Sequence, residues 1–123
     1  GLRALLNFGH TIGHGIEASA GYGQLLHGEA ISLGIVAALR ISEEVVGLDA
    51  GASEKVIALL RRYELPLRLP ASITTADVMA KLSRDKKFMA GAVRFVVLRA
   101  LGDAVVSRDV TMARMEAAVD GLR

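Results

Sequence analysis

The sequence predicts a mainly α-helical protein, a multi-helical domain with one small β-hairpin. Hydrophobic residues make up 52% of its 123 residues and aromatic residues only 4%, and a core of small aliphatic side chains is typical of packed helices. Apolar residues recur at helical spacing along most of the chain. Two valine-rich stretches, 93–98 and 104–107, are the exceptions. We expect one domain over residues 1–123.

The first predicted helix covers residues 2 to about 20, because Leu and Ile side chains alternate with polar ones at a period near 3.6. It contains Gly9, Gly13 and Gly15. Each glycine costs roughly 1 kcal/mol relative to alanine inside a helix, so three of them indicate close packing against the backbone. A loop at 21–23 ends this helix.

The second predicted helix, residues 28–46, is apolar on nearly all sides, which indicates a buried central helix. Gly47 and Gly51 mark the exit from it. Ser53 then begins a third, amphipathic helix that runs to Tyr63.

Pro66 and Pro70 predict an extended connection after the third helix. Thr74 or Thr75 caps a short fourth helix. A turn at Gly102-Asp103 joins the two valine-rich stretches into a hairpin. Asp109 or Thr111 caps the fifth helix, which covers 110 to about 121.

Composition excludes several classes of function. Charged residues of both signs are mixed, giving a net charge of +2. The sequence contains no basic run with interleaved aromatics, which is the pattern that would predict nucleic-acid binding. The longest apolar run, 30–39, is too short to span a membrane. The chain has no Cys, so it forms no disulfides, as is usual for cytosolic proteins, and any metal must be bound by His and carboxylate. We expect a soluble, cytoplasmic protein and, since the chain starts at Gly1 within a helical pattern, a piece of a longer enzyme.

All three histidines lie near the start of the chain, at His10, His14 and His27. Residues four apart on a helix face the same way, so His10 and His14 can share a ligand or a metal. His27, just before the second helix, can complete a site for Zn²⁺. The His-Glu-x-x-His pattern of metalloproteases is absent. Spacing alone supports equally a metal or catalytic site and a set of hydrogen-bonded histidines in a glycine-lined helix contact.

The order of these residues resembles the C-terminal domain of 3-dehydroquinate synthase. The resemblance rests on Arg3, Asn7, Gly9-His10-Thr11, Gly13-His14 and Glu17, then Leu26-His27-Gly28-Glu29-Ala30, Asp85-Lys86-Lys87, and Arg94-Phe95-Val96-Val97-Leu98. It implies conversion of 3-deoxy-D-arabino-heptulosonate 7-phosphate to 3-dehydroquinate and phosphate in the shikimate pathway, with NAD and Zn²⁺ or Co²⁺. It also implies a homodimer and an N-terminal NAD-binding domain that has no counterpart in this chain.

The resemblance assigns roles residue by residue. His10 and His27 match the two histidine metal ligands, and the third ligand is a glutamate from outside this chain. His14 matches the catalytic histidine that contacts substrate and transfers protons. Arg3 and Asn7 match substrate-binding residues, as does Lys86 or Lys87. Helix capping, surface pairing and close packing account for Glu29, Glu17 and the glycines.

Other functions stay open. A related sugar phosphate cyclase of the 2-deoxy-scyllo-inosose synthase type shares the metal histidines, and a metal-dependent alcohol or glycerol dehydrogenase has a related helical domain. A non-catalytic helical fragment is the remaining alternative. The chain contains no glycine-rich strand-to-helix fingerprint. We therefore expect that the 123-residue chain alone neither binds NAD tightly nor turns over substrate.

Overall fold

The structure, a computed structural model, describes residues 7–21, 24–84 and 94–123. These ranges form five helices and two strands, which confirms the mainly α class with one hairpin. The helices are α1 His10–Ser19, α2 His27–Val46, α3 Ala50–Arg62, α4 Thr75–Ser83 and α5 Met112–Asp120, and the strands are β1 Phe95–Ala100 and β2 Asp103–Ser107. None of the described helices combines the length and apolar character that crossing a membrane requires.

Helix α2 is the centre of the fold, as its apolar sequence predicts. It packs against α1, α3, α5 and β1. Leu33, Ala37, Leu39 and Ile41 on this helix are at most 1% exposed. Burying a Leu or Ile side chain contributes about 1.5–3 kcal/mol. Helix α2 therefore supplies the largest share of the core and fixes the elements that surround it.

The two strands form the predicted antiparallel hairpin, with Phe95 opposite Ser107 and Ala100 opposite Asp103. Gly102 has φ +83° in the turn between them, a conformation that favours glycine. Strand β1 continues to Ala100 and β2 begins at Asp103, so both strands are longer at the turn than the predicted 93–98 and 104–107. Their first predicted residue, Val93, lies outside the described residues. The buried side chains of β1 face α2.

Ser42 joins α2 to the hairpin. Its Oγ donates to the Ala38 carbonyl at 2.7 Å and accepts the Leu98 N–H at 2.9 Å, and its side chain is fully buried. We expect Ser42→Ala to lower the free energy of unfolding by about 1–3 kcal/mol, because the Leu98 N–H loses its partner in the core. Urea unfolding measures this. Ser83→Ala, at an exposed serine with a similar local hydrogen bond, should change stability by less than about 0.5 kcal/mol.

Two helix starts differ from the prediction by three residues or more. The described part of the first segment is a turn at 7–9, and α1 begins only at His10; residues 2–6 lie outside the described residues. Gly9 has φ +82°, which interrupts a continuous helix. Helix α3 begins at Ala50 and not at Ser53, because the Asp49 carbonyl already accepts the N–H groups of Ala52 and Ser53.

As a consequence Gly51 lies inside α3 and not before it, whereas Gly47, with φ +71°, ends α2 as predicted. Hydrogen bonds decide which threonine or aspartate caps α4 and which caps α5. Thr74 accepts the Asp77 N–H at 3.1 Å, and Thr111 accepts the Arg114 N–H at 3.1 Å. Both threonines satisfy an N–H that the helix itself leaves unpaired.

Candidate metal and substrate site

The candidate site is built on a close contact between α1 and α2, whose backbones touch through glycines. A Cβ atom added at Gly34 would lie 2.1 Å from the Gly9 carbonyl oxygen and 2.6 Å from the Gly13 nitrogen. Gly13 also lies against Ile31, one turn nearer the start of α2. Since α1 advances as α2 recedes, the helices are antiparallel. The predicted close packing of these glycines is confirmed.

This contact brings the three histidine rings together. The ring centres are 5.4 Å apart for His10 and His14, 6.0 Å for His14 and His27, and 6.2 Å for His10 and His27. His10 and His14 come from one face of α1, as their spacing predicts, and His27 is the first residue of α2. The three imidazoles therefore form a triangle at the open edge of the helix pair, where His14 and His27 are exposed.

The rings of His10 and His27 each make a hydrogen bond at Nδ1, and the ring of His14 differs from them in this respect. His10 Nδ1 lies 3.4 Å from the Phe8 carbonyl oxygen, a long hydrogen bond. His27 Nδ1 lies 3.1 Å from each carboxylate oxygen of Glu17. Within residues 7–21, 24–84 and 94–123, the His14 ring makes no hydrogen bond to a carbonyl or carboxylate oxygen. In His10 and His27 the bond at Nδ1 leaves Nε2 as the nitrogen that can bind a metal.

The donor set fits a divalent metal in its chemistry but is incomplete. Imidazole nitrogen suits Zn²⁺ and similar ions. Two imidazoles on one tetrahedral metal have ring centres about 5 Å apart, so all three histidine pairs are within about 1.2 Å of the required separation. Among the described residues, however, no three His, Asp or Glu side chains converge on a common metal position. A metal bound by two of these rings would need at least one further ligand from outside the described residues.

The other predicted site residues are only partly described. Asn7 is exposed in the turn before α1, where its carbonyl accepts the His10 N–H at 3.0 Å. The predicted helix over residues 2 to about 20 placed Asn7 on the same helix as His10, and this is wrong, because the turn at Gly9 separates Asn7 from α1. Asn7 nevertheless lies next to the histidines. Arg3, Lys86 and Lys87 lie outside the described residues.

The two glutamates of the motif make the kinds of contact that the sequence indicates, helix capping for Glu29 and surface pairing for Glu17. Glu29 Oε1 accepts the Leu26 N–H at 2.8 Å and so caps the start of α2. Glu17 pairs with His27 across the helix contact. The sequence indicated surface pairing for Glu17 but not that its partner is a site histidine. Its position three residues after His14 on the same helix was the available signal.

A cavity of about 220 Å³ lies in another part of the molecule, between α2, α3 and α5. The three histidines do not line it. Four arginines do, together with aliphatic side chains: Arg40, Arg61, Arg68 and Arg123. Arg40 is already paired with Glu43 and Glu54, at 3.0 and 3.5 Å. The candidate site is thus identified by its side-chain chemistry and not by the volume of a cavity.

Comparison with known proteins agrees with the residue pattern. The family model described as 3-dehydroquinate synthase C-terminal matches residues 1–88. The chain belongs to the 3-dehydroquinate synthase C-terminal family. It is 47% identical over 110 residues to the 3-dehydroquinate synthase of Opitutus terrae (strain DSM 11246 / JCM 15787 / PB90-1), covering 89% of this chain and 30% of that protein.

Solved structures share the fold of this family. One is ValA, a 2-epi-5-epi-valiolone synthase from Streptomyces hygroscopicus subsp. jinggangensis 5008 with NAD⁺ and Zn²⁺ bound; the TM-score is 0.80 at 30% identity, over 96% of this chain and 32% of ValA. Another is a 2-deoxy-scyllo-inosose synthase complexed with carbaglucose-6-phosphate, NAD⁺ and Co²⁺, with a TM-score of 0.82 over 95% of this chain and 33% of that one. At 20% identity the second likeness concerns the fold alone. The chain spans about a third of the length of these relatives.

Proposed function

We propose that residues 1–123 form the C-terminal metal- and substrate-binding domain of a 3-dehydroquinate synthase. That enzyme converts 3-deoxy-D-arabino-heptulosonate 7-phosphate to 3-dehydroquinate and phosphate. The observation that carries the proposal is the triangle of histidine rings, 5.4–6.2 Å apart, at the α1–α2 contact of a chain in this family. The proposal includes a cytoplasmic, homodimeric enzyme, of which this chain is one part.

Under this proposal His10 and His27 bind a divalent metal through Nε2. The Zn²⁺ in ValA supports a metal of this kind. When bound, such a metal supplies Lewis-acid chemistry that favours loss of a proton from a substrate hydroxyl. The remaining ligand, a glutamate, and most contacts to NAD come from outside this chain.

The other residues of the site bind the substrate and handle protons. His14 carries an exposed ring beside both metal-binding histidines, at 5.4 and 6.0 Å between ring centres, so it can take a proton from a substrate held there. Asn7 can donate to and accept from substrate hydroxyls. Arg3 and Lys86 or Lys87 bind the charged phosphate and carboxylate groups. Together these groups orient one substrate against His14, which is where positioning accelerates the reaction.

A chimeric enzyme tests the proposal. The segment of the Opitutus terrae 3-dehydroquinate synthase that matches this chain is replaced by residues 1–123, and phosphate release is measured with 3-deoxy-D-arabino-heptulosonate 7-phosphate, NAD and zinc. We expect turnover. We also expect His14→Ala in the chimera to lower kcat by about 10²–10⁴-fold while zinc stays bound, because the group that transfers the proton is lost.

Two controls make the chimera informative. Glucose 6-phosphate replaces the substrate in one arm, and phosphate release from it alone would assign the chain to a related sugar phosphate cyclase. The 123-residue chain without the rest of the enzyme is assayed in the other arm and should release no phosphate. A folded, zinc-loaded chimera that is inactive on both substrates would contradict the proposed function and leave the dehydrogenase and non-catalytic alternatives.

A further inference from the structure

The contact between Glu17 and His27 joins the two helices that form the candidate site. Glu17 is in α1 and His27 begins α2, and both carboxylate oxygens lie 3.1 Å from Nδ1. The side chains are 39% and 59% exposed. A contact so open to water adds little to stability. Its significance is therefore what it does to the imidazole.

Glu17 occupies the same stripe of α1 as the two other histidines. His10, His14 and Glu17 stand at positions i, i+4 and i+7, which fall within about 60° of the helix circumference. His27 faces this stripe across the antiparallel contact set by Gly34. Its ring thus contacts the Glu17 carboxylate through Nδ1, and its centre lies 6.0 Å from that of His14 and 6.2 Å from that of His10.

A carboxylate can only accept hydrogen bonds, so the contact requires that His27 carry its proton on Nδ1. The lone pair is then on Nε2, the nitrogen that a metal needs. The Phe8 carbonyl has the same effect on His10, although at 3.4 Å the contact is longer. Because both Glu17 oxygens are engaged at Nδ1, the carboxylate orients the ring and is not itself placed as a ligand.

We propose that Glu17 is a positioning residue that holds His27 in the Nδ1–H tautomer and directs its Nε2 towards His10 for metal binding. This inference rests on the proposed function, because it takes His10 and His27 as the metal ligands. It assigns to Glu17 a role beyond the surface pairing that its sequence position indicates. Histidine ligands oriented by a carboxylate in this way typically lose about 10–100-fold in metal affinity when the carboxylate is removed.

Zinc titration of the 123-residue chain measures the first effect. We expect Glu17→Ala to weaken zinc binding by about 10–100-fold, and Glu17→Gln to recover part of that loss because the amide oxygen still accepts from Nδ1–H. Glu44→Ala is the matched control. Glu44 is also an exposed helix glutamate in a surface ion pair, with Arg114 at 2.8 Å, and its removal should leave zinc affinity unchanged.

Nuclear magnetic resonance of the metal-free chain, at a pH where the rings are neutral, measures the second effect. Long-range ¹⁵N–¹H correlations should give the Nδ1–H form for His27 in the native chain and a mixture of tautomers in Glu17→Ala. A structural role alone would not change this ratio. His27→Ala is titrated in parallel, so that the metal-ligand assignment is tested separately from the role of Glu17.

The outcomes are distinct. Loss of affinity in both His27→Ala and Glu17→Ala, with the tautomer change, supports the inference. Loss in His27→Ala alone, with Glu17→Ala binding zinc as the native chain does, overturns the role of Glu17 and leaves the proposed metal site standing. Native affinity in His27→Ala overturns the metal site, and this inference with it.

Discussion

Replacing Gly34 by alanine is expected to lower the free energy of unfolding by about 3 kcal/mol or more, at or beyond the upper end of what overpacking costs. The added Cβ would lie 2.1 Å from the Gly9 carbonyl oxygen, and 2.6 and 2.8 Å from the nitrogen and Cα of Gly13. All three are backbone atoms, so no side chain can rotate away. The helices must separate, and urea unfolding monitored by circular dichroism measures the loss.

Gly28 is the matched control, because it lies in the same helix and a Cβ added there meets nothing within 4 Å. Gly28→Ala should be neutral or should stabilise the chain by about 0.5–1 kcal/mol, the usual gain of alanine over glycine in a helix. Equal stabilities for the two variants would show that α1 and α2 do not approach as closely as the glycines indicate. Separation of the helices would also move His10 away from His27, so Gly34→Ala should weaken zinc binding as well.

The double substitution His10→Ala, His27→Ala is expected to weaken zinc binding to the chain by at least about 100-fold. Structural zinc sites with four ligands have apparent binding free energies of about 10–16 kcal/mol, so each ligand contributes well over the 1.4 kcal/mol that corresponds to tenfold. Removing two nitrogen donors leaves few groups that can hold the ion. Competition with a chromophoric chelator at fixed pH measures the affinity.

His14→Ala serves as the control for that experiment. Its ring is closer to His10 than the His27 ring is, at 5.4 against 6.2 Å between centres, but among the described residues it has no hydrogen-bond partner at Nδ1 of the kind that prepares the other two rings. We expect His14→Ala to retain most of the zinc affinity. Equal zinc binding by the native chain and the double variant would exclude His10 and His27 as ligands. A larger loss of zinc affinity from His14→Ala than from His27→Ala would identify His14, and not His27, as the second metal ligand.

Local patterns predicted most of the architecture because they act between residues close in the chain. The nearly continuous apolar character of 28–46 predicted a buried helix, and α2 is that helix. Threonine caps, Gly47 and the valine-rich hairpin were found for the same reason, since each depends on backbone groups within a few residues. The spacing of His10 and His14 likewise predicted adjacent rings.

Contacts between helices explain why some of the local predictions were wrong. Helical periodicity continues through residues 7–9, but the chain makes a turn there because Gly9 lies against Ile35 of α2 with φ +82°. Asn7 was therefore placed on the wrong element. Similarly, Ser53 resembles a cap in sequence, yet it is buried in the first turn of α3.

Sequence patterns were enough to predict five helices, the hairpin, the family and the three histidines as the chemically capable residues. How His27 meets the other two histidines, and that Glu17 is its partner, became known from the packing of the helices. The physical reason is that these relations depend on how α1 and α2 cross. The crossing is set by Gly13 and Gly34, which have no side chains and so allow the two backbones to touch. A pattern along one helix does not specify the register of its neighbour, whereas backbone contact between two helices does.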